Sequence, residues 1–314
     1  MIQTVTEAIG KDSLGAVLMH EHISCASLSY EKAFGRGWID RKRLKALSVE
    51  ALKLLKEKHR LGLMVDGTPI DLGRNALLLK EIAELSGVKI VASTGFYYLP
   101  SIETLYNDAD ALAKCLIDEC RTGIENTGIK PGILKCATGE AGITADNQKK
   151  LSTMGIVQGE TGLPLYVHCE HRDGIAQKQI EILCENGANI EKIIIGHTAL
   201  RYDAAYLEKI LDTGCYICMD QCFCYPHKLT EIAASLVYLC HKGYTNKILL
   251  SNDRCIHSDF CRRDKSGLEL DSKQHAERLG HVFDHLHPAY LSVGGSEKDW
   301  NTMICKNSIE ALDA

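Results

Sequence analysis

Short apolar runs rich in β-branched residues recur along the chain, separated by longer amphipathic stretches. The runs occupy residues 15–20, 61–68, 89–95, 132–138, 163–169, 192–197, 215–220 and 247–253. Each predicts a strand that is covered on both faces, because such strands are apolar throughout. Between the runs, Leu, Ile and Ala recur at spacings of three and four residues, as in residues 41–60 and 109–125, which predicts helices. The alternation predicts an α/β protein with a parallel sheet covered by helices.

Eight strand–helix units in a chain of 314 residues favour a (β/α)8 barrel over an open doubly wound sheet. A Rossmann-type sheet would require G-x-G-x-x-G after the first strand, where the sequence reads MHEHIS. No proline-rich, Gly/Ser-rich or charged linker interrupts the chain. We therefore predict one TIM-barrel domain over residues 1–314.

Metal-capable side chains stand at the ends of five of the eight predicted strands. Their spacing at the first strand places His20 and His22 on one face and Glu21 on the other. Any one of them could be a hydrogen-bonded core residue or a helix cap. In (β/α)8 barrels, however, the active site lies at the carboxyl ends of the strands, so the set predicts one shared site. Its members are His20, His22, Lys135, His168, His197 and Asp253.

In this order, the residues resemble the phosphotriesterase family of the amidohydrolase superfamily, which includes phosphotriesterase-like lactonases. The resemblance is carried by MHEH, STGFYY, KPGILKCATGEAGIT, HCEHRDG, IIIGHT and ILLSND. The segment from residue 281 onward is similar to the C-terminal helices of that family. The resemblance covers nearly the whole chain, and the combined order of the motifs is far more specific than any single motif.

The resemblance implies a binuclear metal centre of the amidohydrolase type, with zinc as the expected ion, although manganese, cobalt and iron tolerate the same ligands. By this resemblance, a CO2-derived carbamate on Lys135 and a hydroxide bridge the two ions. Asp253 is expected to accept the proton of the attacking hydroxide. The implied ligands are His20, His22 and Asp253 for the buried ion, His168 and His197 for the exposed ion, and Lys135 for both.

The resemblance further implies hydrolysis of a small polar or phosphorylated lactone. Tyr97 corresponds to a family tyrosine that lies over the metals, and we expect it to contact substrate, although a packed aromatic residue would fit equally well. Family triesterases carry an aspartate where Ala199 or Leu200 stands here, and a cationic residue or histidine in place of Gln221. Both departures argue against a fast triesterase proton relay. The alternatives are a phosphotriesterase, another ester or amide hydrolase, and an inactive metal-binding paralogue.

The loop after the last predicted strand is rich in basic residues. It contains Arg254, His257, Arg262, Arg263 and Lys265. The loop is either a solvated charged segment or an anion pocket for a substrate phosphate or carboxylate, with Arg254 as the strongest candidate. The HCEHRDG motif adds His171 and Arg172 to the same rim. The complete set of expected substrate contacts is Tyr97, Arg172, Gln221, Arg254 and His257.

Composition narrows the expected partners and location. The formal net charge of −5 gives no basic surface for nucleic acid, and no apolar run reaches the ~20 residues of a membrane span. The N-terminus lacks the pattern of a signal peptide. Many of the 14 cysteines lie in apolar runs, which indicates buried thiols in a reducing compartment. We therefore predict a cytoplasmic enzyme whose partner is a small-molecule substrate, with a homodimer as the default assembly.

Overall fold

The computed structural model of the protein describes residues 1–11, 14–172, 174–259 and 267–313. All eight predicted strands are present, as β3 to β10, and the first of them extends well beyond its apolar run. The strands are β1 Ile2–Gln3, β2 Ala8–Ile9, β3 Ala16–Cys25, β4 Leu61–Asp66, β5 Lys89–Gly95, β6 Ile133–Ala137, β7 Leu165–His168, β8 Ile193–Ile195, β9 Tyr216–Met219, β10 Ile248–Leu250 and β11 Cys255–Ser258.

Helices follow the strands, as the periodicity predicts, and most begin at a side chain that caps the first turn. Asp40, Asn75, Asp108 and Thr144 each accept a hydrogen bond from a backbone N–H in the first turn of their helix. The helices are α1 Leu28–Phe34, α2 Arg41–His59, α3 Ala76–Ser86, α4 Ile102–Tyr106, α5 Ala109–Thr122, α6 Ala145–Thr161, α7 Ile175–Glu185, α8 Ala204–Leu211, α9 Leu229–His241, α10 Ser272–Leu279, α11 His287–Ser292, α12 Glu297–Asn301 and α13 Asn307–Leu312. Within the described ranges, no helix has the length and apolar character needed to cross a membrane.

The main sheet has nine parallel strands in the order β10-β9-β8-β7-β6-β5-β4-β3-β11, which confirms the parallel α/β class. Strands β10 and β11 stand at opposite edges, yet only residues 251–254 separate them in sequence. These connecting residues bond to β3, because Asp253 N–H donates to the His20 carbonyl at 2.8 Å. Likewise, His22 N–H donates to the Arg254 carbonyl at 2.9 Å. Sequence patterning missed β11 because its residues do not form an apolar run.

The side chains of the sheet divide between two apolar clusters on its opposite faces. One cluster contains Leu61 and Met64 together with helix residues, whereas Leu63 and Val65 belong to the other. The polar residues at the strand ends continue the second face by the two-residue period of a strand. In this way Lys135 follows Ile133, His168 follows Tyr166, and Asp220 follows Cys218.

An irregularity in β3 brings its histidines onto that same face. Val17 and Met19 already lie in the second cluster, so strict alternation would turn His20 away from it. The pairing of β3 with β4 shifts register between Leu18 and Glu21, as at a β-bulge. As predicted, the rings of His20 and His22 lie together, with centroids 5.0 Å apart.

The described cysteines are less uniformly buried than the sequence predicts. Cys115, Cys184 and Cys224 are exposed, whereas residues such as Cys136 and Cys169 are buried. The expectation of buried thiols is therefore only partly confirmed.

Candidate metal centre

The six predicted ligands come together at the carboxyl ends of the strands. Nε2 of His20 lies 2.7 Å from Nζ of Lys135, and Nε2 of His22 lies 3.1 Å from Oδ1 of Asp253. Across the site, Nε2 of His197 lies 2.7 Å from Nδ1 of His168. The two groups adjoin, because the ring centroids of His20 and His197 are 5.3 Å apart. The structure thus places residues from five strand ends in one cluster.

A fully buried carboxylate, Asp220, connects the two halves of this cluster. Its oxygens lie 3.0 Å from Nδ1 of His20 and 2.9 Å from Nδ1 of His197, and the hydroxyl of Tyr166 donates to it. Burial opposes ionisation, but His197 and His20 hold the pKa of Asp220 below its usual value. Sequence reasoning missed Asp220 as a site residue. Its signal was present, because the residue ends an apolar strand run as the predicted ligands do.

The ring orientations fit a divalent metal centre. Because Asp220 accepts from Nδ1 of His20 and His197, each ring presents the lone pair of Nε2 to the site. Nδ1 of His22 lies 2.8 Å from Oγ1 of Thr68, which leaves its Nε2 facing Oδ1 of Asp253 at 3.1 Å. Burial lowers the pKa of His20 to about 3, which keeps that ring neutral, as ligation requires. The sets His20/His22/Asp253 and His20/His197/Asp220 each offer three donor atoms within 4.8 Å of one another.

His168 faces the other ligands through Nδ1 instead of Nε2. Its Nδ1 approaches His197, whereas its Nε2 is buried without a hydrogen-bond partner among the described residues. Oε1 of Glu170 lies 3.6 Å from that Nε2. Burial, followed by the charge of His197, lowers the pKa of His168 to about 4. His168 is therefore a neutral donor whose orientation differs from that of the other three histidines.

Lys135 is 1% exposed and lies among these rings. Its Nζ stands 4.3 Å from the centroid of the Tyr166 ring, in addition to its contact with His20. Burial lowers the pKa of the Lys135 amine, because a low-dielectric environment disfavours the ammonium ion. The neutral amine is the nucleophilic form, which is the form that can react with carbon dioxide.

The backbone around Asp253 is held by Glu21, the residue between the two β3 histidines. One oxygen of Glu21 accepts from the Ser251 hydroxyl at 2.8 Å and from Asn252 N–H at 2.7 Å. The other oxygen accepts from Arg254 N–H at 2.8 Å. Asp253 itself has a φ of 57°, which is a costly conformation for a residue with a side chain. Glu21 therefore holds the residues on both sides of a strained ligand.

Tyr97 lies beside this cluster on the loop after β5. Its ring contacts His168 edge-on, with centroids 5.5 Å apart, and packs against Tyr98 at 4.3 Å. Its backbone N–H donates to both carboxylate oxygens of Asp71, at 2.8 and 2.9 Å. Burial raises the pKa of Tyr97, followed in effect by Tyr98 and Asp253, so the hydroxyl keeps its proton and can donate.

The predicted rim residues differ in where the structure places them. Gln221 contacts the cluster directly, because its Nε2 donates to Oδ2 of Asp253. The guanidinium of Arg254 lies 3.1 Å from the centroid of the Phe223 ring, on the loop after β9. His257 is on β11, where both ring nitrogens are buried without a partner among the described residues. Arg172 is exposed, and Arg262, Arg263 and Lys265 lie outside the described residues.

His171 does not serve the anion pocket to which the sequence assigned it. Its Nε2 lies 2.7 Å from the Gly196 carbonyl, and its Nδ1 lies 2.9 Å from the Tyr206 hydroxyl. Both ring nitrogens are thus engaged with protein atoms. Burial also lowers the pKa of His171 to about 4, which removes the positive charge that an anion would need. The residue ties the loop after β7 to the end of β8.

Gly67 leaves no space for a side chain beside the β3 histidines. A Cβ at this position would lie 2.5 Å from Cδ2 and 2.8 Å from Nε2 of His20. We expect Gly67→Ala to weaken metal binding by about 10- to 100-fold, the usual cost of displacing a ligand's supporting shell. Metal content per chain at limiting free metal would measure this. The matched control is Gly37→Ala, where a Cβ meets nothing within 4 Å. Equal metal retention in both variants would contradict the prediction.

Curated relatives of the chain include two named hydrolases. An aryldialkylphosphatase from Saccharolobus solfataricus is 28% identical over 265 residues, which cover 80% of this chain and 82% of that protein. An N-acetyltaurine hydrolase from Rattus norvegicus is 27% identical over 352 residues, covering 98% of this chain and 96% of that protein. The chain is thus similar over most of its length to enzymes whose names indicate different substrates, an organophosphate in one case and an N-acetylated amine in the other.

Solved structures show the same relationship. A phosphotriesterase from Mycobacterium tuberculosis superposes with a TM-score of 0.87 at 26% identity and covers 99% of this chain and 98% of its own. A protein engineered for organophosphate hydrolysis from a weak promiscuous lactonase template superposes with a TM-score of 0.84 at 27% identity, covering 99% of each chain. A sequence model described as "Phosphotriesterase family" matches residues 1–312. As the sequence motifs predicted, the chain belongs to the phosphotriesterase family.

Proposed function

We propose that this chain is a binuclear metal-dependent hydrolase that opens a small polar or anionic lactone. The observation that carries the proposal is the convergence of four imidazole rings, a buried lysine amine and a carboxylate at one end of the sheet. Buried groups of this kind would destabilise the fold if they had no ligand or proton to share. The inactive-paralogue alternative is disfavoured because none of the expected ligand residues has been lost.

The ligand assignment follows from which donors adjoin. His20, His22 and Asp253 would hold one ion, and His168 and His197 the other. Lys135, carboxylated by carbon dioxide, would bridge them, with zinc as the expected metal. When bound, two divalent ions would lower the pKa of water and polarise the substrate carbonyl. The neutral amine that burial favours at Lys135 supports the carbamate, because an ammonium ion can neither react with carbon dioxide nor bind a cation.

The protein's own residues supply the remaining chemistry. Asp253 would accept the proton of the attacking water, and the Gln221 amide that donates to its Oδ2 would fix the direction of that carboxylate. Tyr97 would donate its hydroxyl proton in a hydrogen bond to the oxyanion that develops on the carbonyl carbon. The guanidinium of Arg254, held against Phe223, would bind an anionic group on the substrate.

Two features favour a lactone over a phosphotriester. Ala199 and Leu200 provide no carboxylate after His197, and the amide of Gln221 cannot relay a proton away from Asp253. A fast triesterase would need such a path. An amide substrate is the second candidate, because a relative similar over nearly the whole chain is named an N-acetyltaurine hydrolase.

We also propose that the sheet closes as a (β/α)8 barrel and that residues 1–314 form a single domain. Strands β10 and β11 stand at the two edges of the sheet but follow each other closely in sequence. The bonds of Asp253 and Arg254 to β3 support the junction. A large apolar cluster that combines residues from β3 to β11 with helix residues supports one domain.

Metal analysis combined with a substrate screen tests the proposal. We expect close to two divalent ions per chain, lactone hydrolysis by the metal-replete protein, and loss of that activity on chelation. The screen should pair each aldonolactone with its phosphorylated form, and include paraoxon and N-acetyltaurine as triester and amide comparators. One ion per chain with full activity would refute the binuclear assignment, and preferential turnover of paraoxon or N-acetyltaurine would refute the lactonase assignment.

We also propose that the protein acts on a small-molecule substrate and binds neither nucleic acid nor membrane. We expect it to form a homodimer and to be located in the cytoplasm. Light scattering of the purified protein would measure the assembly.

A further inference from the structure

The loop that carries Tyr97 is tied to the first two turns of α6. Nζ of Lys150 donates to the carbonyl of Tyr97 at 3.0 Å and also to the carbonyl of Leu99. Nδ2 of Asn147 donates to the carbonyl of Tyr98 at 2.9 Å. Three consecutive carbonyls of this loop therefore bond to side chains of one helix, where loop carbonyls would ordinarily face solvent.

Lys150 is an unusual residue for this task, because its side chain is 1% exposed. Its ammonium also forms an ion pair with Oδ2 of Asp146 at 3.0 Å, so the cation is paired with a carboxylate in addition to donating to the two loop carbonyls. The other oxygen of Asp146 accepts from the Thr104 hydroxyl at 2.7 Å. A buried cation is tolerated only when it is paired and hydrogen-bonded, and here two of the partners belong to the loop itself.

The opposite side of the same peptide is also fixed. Tyr97 N–H donates to both oxygens of Asp71, on the loop after β4, while its carbonyl accepts from Lys150. The backbone of Tyr97 is thus held from two separate elements. Lys149, the neighbour of Lys150, instead holds the short helix α4 that follows the loop, through the carbonyls of Thr104 and Asn107, at 2.6 and 2.9 Å.

We propose that Lys150 is a positioning residue that fixes Tyr97 beside His168 and so sets where the tyrosine hydroxyl meets substrate. The inference rests on the proposed function, in which Tyr97 donates to the developing oxyanion. A donor of this kind stabilises a transition state only when it is already in place, and a displacement of about 1 Å can cost as much as 100-fold in rate. The polar contacts on both sides of the Tyr97 peptide provide that restraint.

The test compares Lys150→Met with Lys149→Met in metal-replete protein. Methionine keeps the apolar stem but removes the ammonium. Hydrogen–deuterium exchange of residues 96–107 should report about 10-fold faster exchange at residues 97–99 in Lys150→Met. In Lys149→Met the faster exchange should appear only toward residues 104–107. Lys150→Arg, which keeps a cation, should restore part of the protection.

A double-mutant cycle with Tyr97→Phe gives the second readout, with dihydrocoumarin as the lactone probe. We expect each single change to lower kcat by about 10-fold, and the double variant to be no slower than the worse single variant, because both remove one interaction. Effects that multiply to about 100-fold would overturn the proposal. So would unchanged exchange at residues 97–99 in folded Lys150→Met.

Two outcomes would require a different measurement: a Lys150→Met variant that does not fold, and an unaltered protein that does not turn over the lactone probe. If Lys150→Met does not fold because Asp146 is left unpaired, the double variant Asp146→Asn/Lys150→Met removes that charge and takes the same measurements. If the unaltered protein hydrolyses neither dihydrocoumarin nor any aldonolactone of the substrate screen, that result counts against the proposed lactonase activity. The exchange comparison then decides the role of Lys150 by itself, because it does not depend on turnover.

Discussion

Replacing Lys135 with alanine should cause bound metal and hydrolytic activity to be lost together. The amine lies 2.7 Å from Nε2 of His20 and is 1% exposed, so alanine would leave an unfilled space beside a predicted ligand. If the carbamate bridges both ions, its loss removes a ligand from each. We expect fewer than two ions per chain. The fall in kcat should be larger than the fall caused by Tyr97→Phe or Lys150→Met. Elemental analysis and lactone assays on the same preparation would measure both.

Chemical rescue separates this explanation from a loss of packing. Short carboxylic acids, such as acetate or propionate, can occupy the space of the missing side chain and present carboxylate oxygens as the carbamate would. Partial recovery of metal and activity in Lys135→Ala is therefore expected, with the untreated variant as control. A fully metallated and active Lys135→Ala protein would show that this lysine is only a buried residue of the sheet.

Asp253→Asn should reduce kcat by about 10²- to 10⁴-fold, the usual cost of removing a general base. Asparagine keeps one oxygen near Nε2 of His22, where Oδ1 of Asp253 lies at 3.1 Å, but it cannot accept a proton from water. Ala199 and Leu200 have no carboxylate that could accept this proton in place of Asp253. Burial opposes ionisation of Asp253, yet His20 and His197 hold its pKa well below the ordinary value, so the base is ready at neutral pH.

The comparison variant is Arg254→Ala, the next residue along the chain. Loss of a remote anion contact should raise KM chiefly and leave kcat within about 10-fold, because such contacts bind substrate and transition state alike. Both variants should be assayed with two metals bound. Near-normal kcat in doubly metallated Asp253→Asn would mean that another group is the base, and the assignment of Asp253 would be withdrawn.

The strand–helix order and the ligand positions could be predicted from the sequence because both depend on local patterns. A covered strand is apolar along its whole length, and a helix repeats its apolar residues every three or four positions. All eight predicted strands are therefore present. Polar residues that interrupt such runs at their carboxyl ends are conspicuous, as His168 after Leu165–Val167 illustrates. Parallel strands then place these ends at one edge.

Tertiary structure alone decided the contacts that hold those residues in place. Asp220 accepts from His20 across 200 positions of sequence, and Glu21 accepts from Asn252 across 231, separations at which no local pattern carries information. His171 was predicted at the anion rim, but its partners Gly196 and Tyr206 come from later in the chain. Basic side chains look alike in sequence, whether they face solvent or a carbonyl.

One physical reason separates the features that the sequence predicted from those that only the tertiary structure decided. Hydrophobic periodicity reports how each segment is buried, and that determined the α/β class and the strand ends at which ionisable residues gather. It does not report which neighbour saturates each polar group. The irregularity of β3 that turns His20 inward, the carboxylate shared by His20 and His197, and the ammonium of Lys150 beneath Tyr97 arise only when distant segments meet. There, most buried donors and acceptors find a partner, because leaving one unpaired costs free energy.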